Sequence, residues 1–121
     1  MILVDYRDTR PIYEQIVDKY KMLILRGVLR PDDKLPSVRN LAVELSINPN
    51  TIQRAYAELE RQGYIYTVKG KGNFVSDSRQ LFLQYQQELF VQLKAVCKAA
   101  LEAGITEEEI MQSIKEGVAY D

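Results

Sequence analysis

Two short amphipathic segments separated by a tight polar break constrain this chain more than any other feature. The first follows Ser37, a good helix N-cap, and its apolar residues cover one face for only two turns. The second runs from Pro49 or Asn50 to Gln62 and ends before Gly63, with apolar residues at helical spacing. Two short helices joined by a turn of a few residues are typical of a helix-turn-helix.

The flanking segments predict the winged form of this motif. Upstream, Pro11 suits the first position of a helix that stops at Gly27, and residues 28–36 are predicted to form a turn. Downstream, residues 64–68 and 73–75 are rich in β-branched and aromatic side chains. The glycines between them can take positive φ, so these two segments are predicted to form a β-hairpin with an exposed, basic tip.

A long helix over residues 79–103 and a shorter one after the capping-box pattern Thr106/Glu109 are predicted for the rest of the chain. The first of these has apolar residues in heptads and would be about 37 Å long, too long for a domain of this size to cover. The predicted fold is therefore mostly α with a small β-hairpin: a winged helix-turn-helix in residues 1–76 and a two-helix dimerisation tail in residues 77–121. The predicted dimer contacts are Phe82, Leu89, Phe90, Leu93, Val96, Ala100, Ile110 and Ile114.

The charge is unevenly distributed along the chain. Although the formal net charge is -1, residues 34–75 carry six basic and three acidic side chains, whereas residues 76–121 carry four basic and eight acidic ones. A cationic module followed by an anionic tail is compatible with a local nucleic-acid-binding surface.

Several functional classes are disfavoured by composition. Histidine is absent, which removes the commonest general base and zinc ligand, and Cys97 stands alone in a helical pattern and is predicted to be a small core residue. No metal, cofactor or catalytic site is expected. The longest apolar run has four residues, so neither a membrane span nor a signal peptide is predicted, and a cytoplasmic protein is expected.

Three motifs, in this order and spacing, resemble the N-terminal domain of GntR-family transcriptional regulators. They are LPSVRNLA at residues 35–42, NPNTIQRAYAELE at residues 48–60 followed by Gly63, and GKGNFV at residues 70–75. The short all-helical tail is similar to that of the YtrA subfamily. The resemblance implies double-stranded DNA as the partner, repression as the usual action, and the protein's own operon as the target, often one that encodes a membrane exporter.

In such a motif the N-terminal residues of the third helix face base edges in the major groove. Asparagine and glutamine can pair with adenine and arginine with guanine. Alternatives stay open: Asn50 and Thr51 could serve only as caps, Arg54 could be a solvated charge, and the wing could be a mere turn. The predicted DNA-binding residues are Ser37, Arg39, Asn50, Thr51, Gln53, Arg54, Lys69, Gly70, Lys71 and Gly72, with Arg39 assigned by the resemblance.

The preferred hypothesis is a homodimeric, sequence-specific repressor that binds a pseudo-palindromic operator. The alternative is a winged-helix protein-interaction module without DNA binding, which the fold alone would permit. A small enzyme would need a nucleophile, base or metal set that the sequence lacks. Residues 76–121 are too few to enclose a typical ligand pocket, so an effector of unidentified chemistry would bind between the tail and the DNA-binding domain or across the dimer.

Overall fold

A computed structural model describes residues 4–118, without the side chain of Val118, and divides the chain into two compact units on either side of the Phe82–Leu83 bond. The predicted fold class is confirmed, with five helices and a two-stranded antiparallel hairpin in the described residues. Pro11 is the N-cap of the first helix rather than its first residue. The elements are α1 (Ile12–Leu25), α2 (Val38–Leu45), α3 (Pro49–Arg61), β1 (Ile65–Val68), β2 (Gly72–Val75), α4 (Arg79–Glu102) and α5 (Glu107–Val118).

The core of the first unit is built where α1 packs on α3. The predicted inward residues of α3 are all buried, and Tyr56 among them meets Tyr20 of α1 edge to face, with ring centroids 6.0 Å apart. Aromatic pairs favour this arrangement because the positive edge of one ring faces the negative face of the other. The apolar side of α3 is thus fully used in packing, and its other side is left for solvent or a partner.

Local capping determines where α2 and α3 begin. Ser37 is the N-cap of α2, as predicted, and its hydroxyl accepts a 3.0 Å hydrogen bond from the Asn40 N–H. Asn48 caps α3 by accepting from the Asn50 N–H at 2.8 Å. Asn50 and Thr51 therefore lie inside the helix and are not its caps. Between the helices, Ser46 takes a left-handed conformation (φ 56°) that ends α2.

The segment before α2 is more ordered than the predicted turn. Residues 32–35 run antiparallel to β2: the Asp32 N–H donates to Val75 O at 2.7 Å, and the Leu35 N–H donates to Asn73 O at 2.9 Å. These residues therefore form an isolated β-bridge, Lys34 to Phe74, beside the two-stranded hairpin. The polar residues and prolines of this segment are not typical of a strand, and its hydrogen bonds depend on a distant partner strand. Neighbouring residues alone therefore did not predict the pairing.

The second unit consists of most of α4 together with α5, which opens with the predicted capping box. Thr106 accepts from the Glu109 N–H at 3.1 Å, and the Glu109 carboxylate accepts from the Thr106 N–H at 3.0 Å. No residue of α4 is buried. Cys97, predicted to be a core residue, is only half-buried and lines an apolar groove between the two helices. Within residues 4–118, no helix combines the length and apolar character needed to cross a membrane.

Candidate nucleic-acid interface

The N-terminal half of α3 presents polar side chains opposite its buried face. Asn50, Gln53 and Arg54 are exposed, and Thr51 is half-buried at the edge of this surface. Because Ile52 and Ala55 are completely buried, the helix cannot rotate about its axis without losing core packing. The polar set is therefore held outward on a rigid element.

Among these four polar residues of α3, Arg54 contacts a side chain of another helix. Its guanidinium carbon lies 3.8 Å from the centroid of the Tyr13 ring on α1, which is cation–π geometry. Tyr13 itself is half-buried. The contact was not predicted from the sequence, because the two residues lie 41 positions apart in the chain.

Arg61, near the end of the same helix, has a different environment. Its guanidinium donates to the Glu58 carboxylate, with Nε 2.8 Å from Oε1. The Arg61 hydrogen bonds lower the pKa of Glu58 to about 2, with a further contribution from Gln62. Arg61 therefore contributes little net positive charge, and the cationic character of α3 is concentrated at Arg54.

The start of α2 is anchored to α3 by a buried phenol. The Tyr56 hydroxyl donates a 2.7 Å hydrogen bond to the carbonyl oxygen of Pro36, the residue before the Ser37 cap. Arg39, in the first turn, is exposed and forms no ion pair with any residue in the range 4–118. The free N–H groups at a helix start and an adjacent unpaired arginine together favour an anion.

The wing is a tight, exposed turn at the end of the hairpin. Val68 pairs with Gly72, and the Lys71 N–H donates to Val68 O at 2.9 Å, leaving residues 69–71 as the tip. Gly70 has φ 77° and Gly72 has φ 130°, conformations that a residue with a Cβ rarely adopts. Lys69 and Lys71 are exposed beside them, so the predicted basic tip is present.

Lys34 is a functional candidate that the sequence analysis did not single out. It forms an isolated β-bridge with Phe74, and a Cβ at Gly72 would come within 3.0 Å of Lys34 Cε. The lysine stem therefore covers the Gly72 backbone and brings a further ammonium group to the wing. Because the pairing of residues 32–35 with β2 is a tertiary feature, no local pattern indicated it.

An aromatic stack stiffens the hairpin below its tip. The rings of Tyr66 and Phe74 face each other across the strands with centroids 5.7 Å apart, and the Tyr66 hydroxyl donates to the Asp32 carboxylate at 2.6 Å. This hydrogen bond raises the pKa of Tyr66. These contacts join the hairpin to the segment that leads to α2, and so connect the base of the wing with the start of α2.

The predicted dimer contacts are apolar side chains of α4 and α5. Phe82, Leu89, Phe90, Leu93, Val96 and Ile114 are exposed, while Ala100 and Ile110 are half-buried. In the second unit, a groove of about 250 Å³ between α4 and α5 and a neighbouring one of about 300 Å³ share Leu93. In residues 4–118, no group of three or more Cys, Asp or Glu side chains is arranged to hold a metal ion.

Comparisons with known proteins agree with this architecture. A family model described as "Bacterial regulatory proteins, gntR family" matches residues 12–75. The HTH-type transcriptional repressor YtrA of Bacillus subtilis is 43% identical over 118 residues, covering 96% of this chain and 91% of the relative. The crystal structure of a transcriptional regulator from Oenococcus oeni is 33% identical, with a TM-score of 0.79 and coverage of 98% of this chain and 100% of that one.

A structure of the AraR DNA-binding domain in complex with operator ORX1 is also similar, with 32% identity and a TM-score of 0.54 over 56% of this chain and 82% of that one. The family match contains α1, α2, α3 and the hairpin, including every predicted DNA-binding residue. The chain belongs to the GntR family of transcriptional regulators, with a winged-helix DNA-binding domain, and is similar to YtrA-type members.

Proposed function

We propose that the protein is a sequence-specific transcriptional repressor that binds a pseudo-palindromic operator as a homodimer. The observation that carries the proposal is the exposed set Asn50, Gln53 and Arg54, held outward by the buried opposite face of α3. The similar YtrA of Bacillus subtilis is named a repressor, and the similar AraR domain is described in complex with an operator. Such a regulator would act on DNA in the cytoplasm.

In the proposed complex, α3 enters the major groove. Asn50 and Gln53 carry amides that can donate to and accept from adenine, and Arg54 can donate to guanine or phosphate oxygens. Thr51, at the edge of the helix surface, has a hydroxyl suited to either a phosphate or a base. This division assigns base recognition to α3 and leaves backbone positioning to the surrounding elements.

Three surrounding groups are proposed to contact phosphates. Ser37 and Arg39 offer a helix N-terminus and an unpaired guanidinium. The second group is the tip, Lys69, Gly70 and Lys71, with the adjoining Gly72, which offers backbone N–H groups and two ammonium groups. The third is the ammonium group of Lys34 beside Gly72. Contacts of this kind supply most of the salt-dependent affinity of DNA-binding proteins.

The tail is proposed to form the dimer interface. Its two helices leave a series of apolar side chains exposed that a single copy does not cover, including Leu89 and Phe90 at 43% and 55% exposure. Burying apolar surface at about 25 cal/mol per Å² favours association, and a second copy offers the matching surface by symmetry. Two linked binding modules would then bind one operator much more tightly than one module.

Control by a small-molecule effector of unidentified chemistry stays a prediction. The family resemblance implies the protein's own operon as the target, often one that encodes a membrane exporter.

DNA binding is tested by fluorescence anisotropy on a duplex from upstream of the protein's own gene, with unrelated DNA as competitor and at two salt concentrations. We expect tight, salt-dependent binding that unrelated DNA does not displace. Gln53→Ala, which removes a proposed base contact, should weaken it by about 1 to 3 kcal/mol, whereas Arg39→Ala, which removes a proposed phosphate contact, should weaken binding to all sequences and reduce its salt dependence. Lys98→Ala, which removes an exposed cation from α4, is the matched control and should bind normally.

Absence of binding by the unaltered protein to this duplex and to a pool of random duplexes would contradict the proposal. It would favour the alternative of a protein-interaction module. Normal binding by both Arg39→Ala and Gln53→Ala would instead move the DNA-binding surface elsewhere.

Dimerisation is tested by light scattering on the full chain. Leu93→Glu places a charge where the two apolar grooves meet and should give a monomer, because burying an unpaired carboxylate is costly. Gln92→Glu adds the same charge at the neighbouring exposed position and is the matched control. Removal of residues 79–121 should also give a monomer, and a dimer that survived it would locate the interface in the winged domain.

A further inference from the structure

Arg54 contacts an aromatic ring, that of Tyr13, whereas other arginines in the described residues contact carboxylates. A guanidinium stacked on a ring keeps its full charge, whereas one that donates to a carboxylate is neutralised. In the range 4–118 no carboxylate pairs with Arg54. The arginines that do pair with carboxylates are Arg7, Arg10, Arg61 and Arg79.

Stacking also determines which part of the guanidinium remains available. A guanidinium is planar, and its five N–H donors lie around its edge. Arg54 is exposed and its guanidinium carbon lies 3.8 Å from the Tyr13 centroid, so the contact with the ring uses none of its N–H donors in an ion pair and leaves donors available to an acceptor. The side chain is restrained in orientation, and its donors are not used up.

Holding Arg54 in one orientation matters for binding because of its position on α3. It projects from the exposed face of α3, where an arginine ordinarily samples many rotamers and loses that freedom when it binds. Tyr13 is half-buried on α1, which packs against α3 in the core, so the ring is a fixed support for a mobile side chain.

We propose that Tyr13 is a positioning residue for DNA recognition: its ring holds the Arg54 guanidinium, charge intact, for donation to an oxygen or nitrogen acceptor of the operator. The inference rests on the proposed DNA-binding function. Tyr13 itself does not contact DNA in this proposal. A residue on α1, outside the helix-turn-helix pair, thereby contributes to affinity through Arg54.

The test is a double-mutant cycle measured by anisotropy on a duplex that the unaltered protein has enriched from a random-sequence pool. Tyr13→Leu should weaken binding about three- to tenfold, and Tyr13→Phe, which keeps the ring, should stay within about twofold. In an Arg54→Ala background, Tyr13→Leu should cause no further loss. A merely structural role of Tyr13 would give the same loss in both backgrounds.

Two further variants sharpen the cycle. Tyr6→Leu makes the same substitution at an exposed tyrosine of the same unit and should bind normally. Arg54→Lys keeps the charge but not the flat face, so it should bind more weakly than the unaltered protein and be insensitive to Tyr13→Leu. Thermal unfolding of each variant reports whether the fold is intact.

Three results would overturn the inference. Equal losses from Tyr13→Leu with and without Arg54 would assign Tyr13 to the fold alone. Tighter binding by Tyr13→Leu would mean that the ring withholds Arg54 from DNA, and normal binding by Arg54→Ala would remove Arg54 from the interface. Failure of the unaltered protein to enrich any duplex is a separate outcome, because it would contradict the proposed function before any variant is compared.

Discussion

The hydroxyl of Tyr56, in the middle of α3, donates a 2.7 Å hydrogen bond to the carbonyl oxygen of Pro36, which directly precedes the N-cap of α2. The bond joins the helix proposed to read bases to the start of the helix proposed to contact the DNA backbone. The Tyr56 ring is at the same time packed edge to face on Tyr20. The buried Tyr56 side chain thus contributes to the core of the first unit and also holds the start of α2 against α3.

Tyr56→Phe should lower the free energy of unfolding by about 1 to 2 kcal/mol. The substitution removes one hydrogen bond and leaves the Pro36 carbonyl without its donor, while the ring packing is retained. Chemical denaturation followed by circular dichroism measures the effect. Tyr6→Phe, at a tyrosine that is 72% exposed, is the control and should leave stability unchanged.

Alkaline pH should destabilise the protein through the same phenol. Burial, followed by the nearby Tyr20, raises the pKa of Tyr56 above its unfolded value of about 10. The folded state therefore retains a proton that the unfolded state releases. The stability from this group is complete below pH 10 and is lost as pH rises through the folded pKa. Unfolding free energies measured between about pH 8 and pH 11 should fall less steeply for Tyr56→Phe, and equal slopes would contradict this assignment.

Two roles of Ser37 can be separated by substitution. Ser37→Ala should cost about 1 kcal/mol of stability because the Asn40 N–H loses its acceptor, whereas Ser37→Asn and Ser37→Asp should retain the cap. Ser37→Asp also adds a negative charge at the proposed phosphate site and should weaken DNA binding several-fold, while Ser37→Asn should not. Normal binding by Ser37→Asp would argue against a phosphate at the start of α2.

Lys34→Ala should reduce affinity for all DNA sequences alike and decrease the slope of log Kobs against log salt by about one. The reason is that Lys34 adds an ammonium group beside Gly72, at the wing. Anisotropy across a series of salt concentrations measures the slope, with Lys98→Ala as a control expected to leave it unchanged. A change in sequence preference, rather than in salt dependence, would assign Lys34 to base recognition.

Local chemistry in the sequence determined the helices, the caps at Ser37 and Thr106, and the hairpin. Ser37, the Thr106/Glu109 pair and the apolar spacing of α3 act within one or two helical turns, so each could be interpreted from neighbouring residues alone. The exposed polar set on α3 followed from the same spacing, because the residues that are not needed for the core must face away from it.

Contacts between residues far apart in the chain depend on how the helices and the hairpin pack. The pairing of residues 32–35 with β2, the Lys34 stem over Gly72, the Tyr56 bond to Pro36 and the Arg54 stack on Tyr13 join segments 20 to 43 positions apart in the chain. No periodic pattern encodes such contacts, because they arise when α1, α3 and the hairpin close around one core and bring unrelated side chains within reach. The residue types on the binding surface are therefore a property of the sequence, and the support that orients them is a property of the packed fold.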